Sequence, residues 1–372
     1  MLYPLKFKPA LKEKVWGGHK LEPLLRLPET GRAIGEAWLV WDGLTVTEGP
    51  LQGRTIRELT HEYGESLLGR QNKDVAEFPL LVKFLDPQEF LSVQNHPDDK
   101  YAQEVEGQPY GKSEAWLVLE AEPGTQLIHG LKREVTRETL RDAMRNGALM
   151  DLVKYVPTQP GDVVINTPGV IHALGTGIVI YELQQSSDTT YRLYDWDRKP
   201  LPGEPVRELH IDKGADVADL RPIQQHMIAP VVLHEAGGTR TLFVACKLYA
   251  GEKLDLHTQF TQHPAGKSFH ILTALQGEGL VQADGCSAVE LSAGESVLVP
   301  ACIERYNIDP VSPLFTVIKA YVPDLQADVV GPLLAAGIAP AQIAQLGGDV
   351  LRTDIHIPSL KVDTSAFRRM GF

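Results

Sequence analysis

The 372-residue sequence has few cysteines, an excess of acidic over basic residues, and no long apolar segment. Its three cysteines, Cys246, Cys286 and Cys302, are far apart and odd in number, which excludes a disulfide-based fold and indicates reduced thiols. No stretch approaches the roughly 18 apolar residues of a transmembrane helix. The N-terminus is too charged for a signal peptide. We therefore expect a cytoplasmic protein that does not bind membranes.

The charge balance restricts the partners further. The net charge of −12 argues against nucleic-acid binding, because a phosphate backbone requires a basic surface. A small anionic substrate remains compatible, since a few local cations can outweigh a distant negative surface. The composition is that of an ordinary globular protein, and the length is sufficient for two domains.

Three segments contain polar residues that could bind a divalent metal. Gln94 and His96 are two residues apart and would therefore share one face of a β-strand. Lys112 and Glu114 alternate in the same way in Gly-Lys-Ser-Glu-Ala-Trp, and His172 follows a Pro-Gly turn. An amide oxygen, two imidazoles and a carboxylate together form a plausible four-ligand set.

The arrangement of apolar residues predicts a mainly β fold. Many short apolar runs end at Gly or Pro, which is typical of a β-sandwich or barrel. Thr55–Leu68 has helical periodicity with Thr55 as its N-cap, and Thr136–Tyr155 predicts a second helical segment. Because the latter interrupts the strands, we expect a small helical insertion at about residues 131–158, outside the barrel.

A weak internal repeat predicts a second barrel. The segments that begin at Lys112 and Lys267 both start with Lys-Ser, and each is followed by a Gly-acidic strand that leads to proline. We therefore expect a catalytic metal-binding domain over 1–225, a degenerate barrel over 232–322, and a C-terminal tail of unknown role over 323–372.

The repeat also predicts that the second barrel binds no metal. Aligned on its Lys-Ser and Gly-acidic anchors, it places Phe269 opposite Glu114 and Glu304 opposite His172. Two of the four ligand residues would then be lost, one of them to a phenyl ring, which cannot be a metal ligand.

With Val15-Trp16-Gly17-Gly18 near the start and Tyr191-Arg192-Leu193-Tyr194-Asp195 after the last histidine, these motifs resemble the type I mannose-6-phosphate isomerases, metal enzymes of the cupin fold. The resemblance covers roughly residues 1–322. It implies two cupin-type jelly-roll β-barrels and an aldose–ketose isomerase that interconverts mannose 6-phosphate and fructose 6-phosphate through an enediol.

The resemblance also implies a cofactor, one zinc ion per chain. The residues that match the family's metal ligands are Gln94, His96, Glu114 and His172. Judged by ligand chemistry alone, Mn, Co or Fe could also occupy such a site, because an amide oxygen is an uncommon zinc ligand.

The same resemblance assigns residues to catalysis and substrate binding. Arg192 matches the active-site arginine, and its permanent charge suits stabilisation of a developing oxyanion. Glu182 and Lys112 match residues that line the pocket, and the sequence does not decide which group takes the proton. Ser92 and Lys112 resemble positions near the substrate phosphate, with Arg198 as a candidate second cation.

Two other functions stay open at this point. A cupin oxygenase would use Fe(II) and a 2-His-1-carboxylate triad, but Gln94 as a fourth ligand and Arg192 argue against it. A non-catalytic sugar-phosphate-binding cupin is less favoured, because no ligand position is lost. The leading hypothesis predicts a sugar phosphate as the small-molecule partner. The sequence does not indicate an oligomeric state.

Overall fold

The structure is a computed structural model that describes residues 2–199, 203, 205–349 and 351–357. In this part of the chain, 22 strands form four antiparallel sheets, so the predicted mainly β fold is confirmed. The first twelve strands are β1 (Leu5–Lys6), β2 (Ala10–Gly18), β3 (Ile34–Val40), β4 (Leu80–Leu85), β5 (Val93–Asn95), β6 (Glu114–Ala121), β7 (Gln126–Leu131), β8 (Val153–Pro157), β9 (Val163–Asn166), β10 (His172–Ala173), β11 (Ile178–Gln185) and β12 (Tyr191–Tyr194).

The remaining ten strands follow a connecting segment. They are β13 (Val231–Glu235), β14 (Gly238–Ala245), β15 (Ala250–Leu256), β16 (Phe260–Gln262), β17 (His270–Gln276), β18 (Glu278–Ala283), β19 (Val289–Ser292), β20 (Ser296–Val299), β21 (Tyr306–Pro310) and β22 (Phe315–Tyr321).

The helices are short. The α-helices are α1 (Leu21–Leu24), α2 (Ile56–Tyr63), α3 (Glu65–Leu68), α4 (Asp99–Tyr101), α5 (Arg137–Arg145), α6 (Leu149–Leu152), α7 (Ile211–Val217), α8 (Gly331–Ala335) and α9 (Pro340–Gln345). One 3₁₀ turn covers Arg70–Asn72, and π-helical turns cover Ala102–Glu106 and Leu325–Val330.

The first barrel consists of two sheets that face each other. One has the strand order β2-β3-β4-β11-β6-β9, and the other has the order β12-β5-β10-β7-β8. Apolar side chains from both sheets fill one end of the interior, among them Trp116, Val164 and Ile180 from the first sheet and Leu127 and Val156 from the second. The polar residues discussed below therefore lie toward the other end.

The second barrel has the same two-sheet design. Its larger sheet has the order β1-β20-β17-β22-β15-β14-β13, and its smaller sheet has the order β16-β21-β18-β19. The N-terminal strand β1 joins this barrel, because Leu5 pairs with Leu298. The first residues of the chain thus cross to the second barrel before β2 begins the first one.

The two barrels pack through their six- and seven-stranded sheets. Tyr181 and Leu183 of β11 point away from the first barrel's interior and join one apolar cluster with Ile271 and Ile318 of the second barrel. Alternation along a strand sends Glu182 to the opposite face. Burial of one face between the barrels therefore fixes which residues enter the site.

Two predicted helical segments can be compared with the structure. Thr55 is the N-cap of α2, and its side chain forms a capping box with Glu58, which stabilises the start of the helix. Thr136 caps α5, as predicted. The prediction of helix for Val153–Tyr155 is wrong, because these residues begin β8, which pairs with β7. Among the described residues, no helix is long and apolar enough to cross a membrane.

Candidate metal centre and substrate cavity

Two adjacent strands and a third strand in the facing sheet position the candidate ligands. Gln94 is on β5 and His172 begins β10, and these two residues are direct cross-strand partners. His96 directly follows β5, and Glu114 begins β6 in the facing sheet. The barrel thus brings together residues that are almost eighty positions apart in the sequence.

Three of these residues form a compact set. One side-chain atom from each of His96, Glu114 and His172 lies within 4.8 Å of the other two. Nε2 of His172 is 3.1 Å from Oε1 of Glu114, and Nε2 of His96 is 3.5 Å from Oε2. All three side chains are buried, with at most 1% of their surface exposed.

The outer contacts of the two imidazoles fix their tautomers. Nδ1 of His96 donates to the carbonyl of Thr189 at 3.0 Å, and Nδ1 of His172 donates to that of Val170 at 2.9 Å. Because a carbonyl can only accept, each Nδ1 holds the proton and each Nε2 directs a lone pair toward Glu114. Neither Nε2 has a hydrogen-bond partner in the described chain. Two lone pairs facing a carboxylate fit a divalent cation.

The protonation states also suit metal binding. Burial lowers the pKa of His96 to about 3, so the imidazole is neutral. Burial by itself would raise the pKa of Glu114. The neighbouring Lys112, His172 and His96 nevertheless hold the pKa of this carboxyl well below its usual value. Neutral imidazoles and an ionised carboxylate are the forms that bind metals.

The turn before His172 shows why the Pro-Gly pair is needed. Gly169 has φ of +86°, and a Cβ on this residue would lie only 2.4 Å from the carbonyl oxygen of Val217. Its backbone N–H donates to the carbonyl of His96 at 2.9 Å. Gly169 therefore links the turn before His172 to the backbone of His96, so that two candidate ligands are held together.

A cavity of about 610 Å³ opens above this set. Most of the candidate residues predicted from the sequence line it, namely Ser92, Gln94, Lys112, Glu114, Glu182 and Arg192. Trp16 of the Val-Trp-Gly-Gly segment lines it as well. Ser92 donates to Oε1 of Gln94 at 3.3 Å, which orients the amide.

Glu182 lies in a buried charge network on the cavity wall. Its Oε1 is 3.1 Å from Nζ of Lys83, and its Oε2 accepts from Nε1 of Trp116 at 3.1 Å. Burial, with the nearby charge of Glu114, raises the pKa of Glu182 to about 7, although Lys83 opposes the shift. A carboxyl group with this pKa can exchange a proton near neutral pH.

Arg192 faces the cavity from β12. Its Nη1 donates to the carbonyl of Glu208 at 3.0 Å, while its Nε has no partner among the residues that the structure describes. Partial burial lowers the pKa of Arg192, but an arginine remains charged in any accessible pH range. The guanidinium thus has donors available to a bound molecule.

The structure does not bring Arg198 to the cavity. Its guanidinium contacts Glu89 and Asp195 and donates to the carbonyl of Phe90, so its donors are used by the segment before β5 and by the turn after β12. Arg207 lines the cavity instead and shares Oδ1 of Asp195 with Arg198, at 3.2 Å. Of these two arginines, Arg207 and not Arg198 therefore lines the cavity.

Sequence reasoning missed Lys83, Glu36 and Arg207, all of which line the cavity. A signal was available for Lys83, which stands inside the apolar run Phe-Pro-Leu-Leu-Val-Lys-Phe, because a buried lysine requires a partner. Arg207 gave no such signal, since it follows a segment rich in proline and charge.

A buried His-Glu-His set at the floor of a polar cavity, inside a two-sheet β-barrel, defines a cupin-type metalloprotein. The family profile of phosphomannose isomerase type I, catalytic domain, matches residues 4–114. A mannose-6-phosphate isomerase of Bacillus subtilis is 32% identical over 312 residues, which cover 82% of this chain and 96% of that protein. The chain therefore belongs to the type I mannose-6-phosphate isomerase family, as its motifs predicted.

Solved structures show the same relationship. The crystal structure of the mannose 6-phosphate isomerase from Bacillus subtilis has a TM-score of 0.77 and 30% identity, and the match covers 85% of this chain and 99% of that one. A zinc-bound holo form of a mannose 6-phosphate isomerase has a TM-score of 0.68 at 15% identity, covering 86% of this chain and 99% of that one. At that identity the likeness shows the fold alone.

Proposed function

We propose that this chain is a zinc-dependent isomerase that interconverts mannose 6-phosphate and fructose 6-phosphate. The observation that carries the proposal is the His96–Glu114–His172 set, whose two free Nε2 atoms meet a carboxylate beside a cavity lined by Glu182 and Arg192. The relatives are named for this reaction. The alternatives, an Fe(II) oxygenase and a non-catalytic binding protein, are not favoured.

Zinc is the metal that the donors and the relatives support best. Two imidazoles and a carboxylate suit zinc, and Gln94 is the candidate for a fourth ligand, from the strand beside His172. A solved relative is described as zinc-bound. When bound, zinc supplies a Lewis acid that polarises a substrate oxygen.

Glu182 is the proposed acid–base group. Conversion of the aldose requires that a proton leave C2 and return to C1, and the Glu182 carboxylate can accept and return that proton near pH 7. Lys112 is the weaker candidate, because its Nζ is 3.1 Å from Oε2 of Glu114 and is held by that carboxylate. We assign Lys112 to orientation of Glu114 and of the substrate.

Arg192 is proposed to stabilise the negative charge that develops on the substrate oxygen during enediol formation. A guanidinium suits this role, because it donates several hydrogen bonds without losing its proton. Ser92, Lys112 and Arg207 are proposed to bind the substrate, and Arg207 takes the place that the sequence suggested for Arg198.

The domain division is also a proposal. Strands β2–β12 pair among themselves, as do β13–β22, which supports a catalytic barrel over 1–225 and a second barrel over 232–322. Strand β1 is the exception, because it precedes the first barrel in the sequence but pairs with β20 of the second barrel. The tail beyond residue 322 contains helical segments between residues 325 and 345. Val329, Leu333 and Ile343 of these segments join the core between the barrels.

The decisive experiment is an assay that couples fructose 6-phosphate formation to a dehydrogenase, with purified protein and mannose 6-phosphate. We expect turnover that a chelator abolishes and zinc restores. Sugar-phosphate binding without turnover in the zinc-loaded protein would contradict the proposal and favour a binding protein.

A further inference from the structure

The second barrel contains its own cavity of about 210 Å³, closed on one side by the C-terminal helical segment. The other end of this barrel is packed with apolar side chains such as Leu272, Val297 and Phe315. The cavity, in contrast, is lined by polar residues of both charges. They include Arg240, Glu252, Gln262, His270, Lys319 and Tyr321.

The strand register relates this cavity to the catalytic one. On β11, Glu182 pairs with Lys83 of one neighbouring strand, and on β22, Lys319 pairs with Glu252 in the same way. Nζ of Lys319 is 2.8 Å from Oε2 of Glu252. The second barrel therefore keeps the buried ion pair of the first, with the two charges exchanged.

The register also corrects the alignment predicted from the repeat. Glu114 pairs with Asn166 of β9, and the corresponding residue of β17, paired with Val299 of β20, is His270 rather than Phe269. Phe269 belongs to the core between the barrels instead. The alignment based on the Lys-Ser motif is therefore wrong by one residue at this position. A shift of one residue exchanges the two faces of a strand.

The strand pairing also identifies the counterparts of His172 and Gln94, two of the other three ligand residues. Tyr306 pairs with Gln262 as His172 pairs with Gln94, and its hydroxyl contacts Nδ1 of His270 at 2.9 Å. A phenol hydroxyl in place of the imidazole removes one of the nitrogen ligands that suit zinc. In the described residues, no second set of three metal-binding side chains exists. This cavity is therefore built for something other than a metal.

Stability alone does not account for these residues. Lys319, Glu252 and His270 are buried, although a buried ion pair is commonly no better for stability than apolar residues of similar volume. Burial lowers the pKa of His270 well below its usual value, so its imidazole is neutral. Polar groups retained around a cavity point to a ligand that they bind.

The donors and acceptors define the class of ligand. The deep charges of Lys319 and Glu252 balance, while Gln262 accepts from Lys319 at 2.8 Å and Tyr321 donates to Glu252 at 2.8 Å. Such a mixed and nearly neutral lining suits hydroxyl groups, which both donate and accept. The volume equals that of roughly seven water molecules, comparable to one sugar ring.

We propose that the second barrel is a metal-free binding site for a small neutral polyhydroxylated molecule, such as a hexose or a hexitol. The C-terminal segment closes the site, because Asp328 contacts Nζ of Lys267 at 2.9 Å and accepts from Gln71 at 2.9 Å. Ala327, which is exposed, lies at the entrance. The tail of the chain thereby has a role as a cover.

The test is to titrate the full-length zinc-loaded protein separately with D-mannose, sorbitol and inorganic phosphate. Binding is measured by calorimetry and by ligand-observed NMR. Ala327→Trp blocks the entrance without removing a buried partner, and Gln262→Ala removes one hydrogen-bonding group. Thr261→Ala is the matched control, because Thr261 is the preceding residue on the same strand and is exposed.

We expect binding of D-mannose or sorbitol that weakens about tenfold or more in Ala327→Trp and in Gln262→Ala, the effect of losing roughly one hydrogen bond. Thr261→Ala should bind as the unmodified chain does. Isomerase turnover, measured in parallel, should be unchanged in all three variants and shows that they are folded. Binding of phosphate alone, no binding of either polyol, or equal binding in all variants would overturn the proposal.

Discussion

Nζ of Lys83 lies 3.1 Å from Oε1 of Glu182, and both side chains are buried in the wall of the catalytic cavity. Lys83 also lies 3.8 Å from Glu36, which in turn contacts Lys14 at 3.1 Å. Despite burial, the two lysines lower the pKa of Glu36 to about 2, so this carboxylate stays ionised. Lys83, held between Glu36 and Glu182, thus lowers the pKa of Glu182, the proposed acid–base group.

Replacement of Lys83 should therefore change the pH dependence of turnover. The positive charge of Lys83 lowers the pKa of Glu182, so Lys83→Met should raise it and move the acidic limb of the kcat profile to higher pH. Lys83→Arg retains the charge and should leave the limb near its original position. Turnover across pH 5–9 in each variant, with circular dichroism as a check on folding, measures this.

The matched control for that profile is Lys12→Met, because Lys12 lies over the ring of Trp38 and does not line the cavity. An acidic limb that is the same in Lys83→Met and in Lys12→Met would mean that Glu182 is not the group that titrates.

Removal of the metal should abolish activity. We expect about one tightly bound zinc per chain by elemental analysis, and loss of both zinc and turnover in His172→Ala, because an essential ligand is removed. His226→Ala is the control, since this imidazole contacts His129 at 3.2 Å rather than the metal set. Full activity in a sample shown to be metal-free would refute the metal-dependent mechanism.

Arg192→Ala should lower kcat on the order of a hundredfold, about 3 kcal/mol, because a positioned charge no longer stabilises the developing oxyanion. Its zinc content should not change. Arg192→Lys should recover only part of the loss, since the planar guanidinium is missing. Steady-state kinetics and elemental analysis of each variant test this prediction. A near-normal kcat in the alanine variant would show that Arg192 has only a structural role, such as its contact with Glu208.

A comparison of Arg207 with Arg198 tests which cation binds the phosphate. Arg207 lines the cavity and Arg198 does not, although both contact Asp195. Loss of a charged hydrogen bond should raise KM for mannose 6-phosphate by about tenfold or more in Arg207→Ala. Arg198→Ala should change KM much less. The opposite order would support the sequence-based assignment to Arg198.

Much of the architecture could be predicted from the sequence because its signals are local. The capping residues Thr55 and Thr136 mark helix starts through hydrogen bonds within one turn. Alternation in β11 sends Glu182 inward and Tyr181 outward, since the strand period is two residues. The candidate ligands could be chosen for the same reason, together with the family motifs.

Tertiary structure decided what depends on distant partners. The pairing of β1 with β20 has no signal in the short segment Leu5–Lys6, because strand pairing depends on backbone groups that lie almost three hundred residues away. Val153–Tyr155 follows a helix without a break in apolar periodicity, and only its pairing with β7 makes it a strand.

The same distinction holds within the two cavities. Arg198 and Arg207 both contact Asp195. Only the additional contacts of Arg198 with Glu89 and Phe90 explain why it stays out of the cavity that Arg207 lines. Likewise, the sequence repeat shows two related barrels, but the register of β17 with β20 decides that His270 and not Phe269 faces inward. A one-residue difference in alignment changes little in sequence similarity, yet it exchanges the two faces of a strand, so hydrogen-bonded pairing between strands determines the chemistry of each interior.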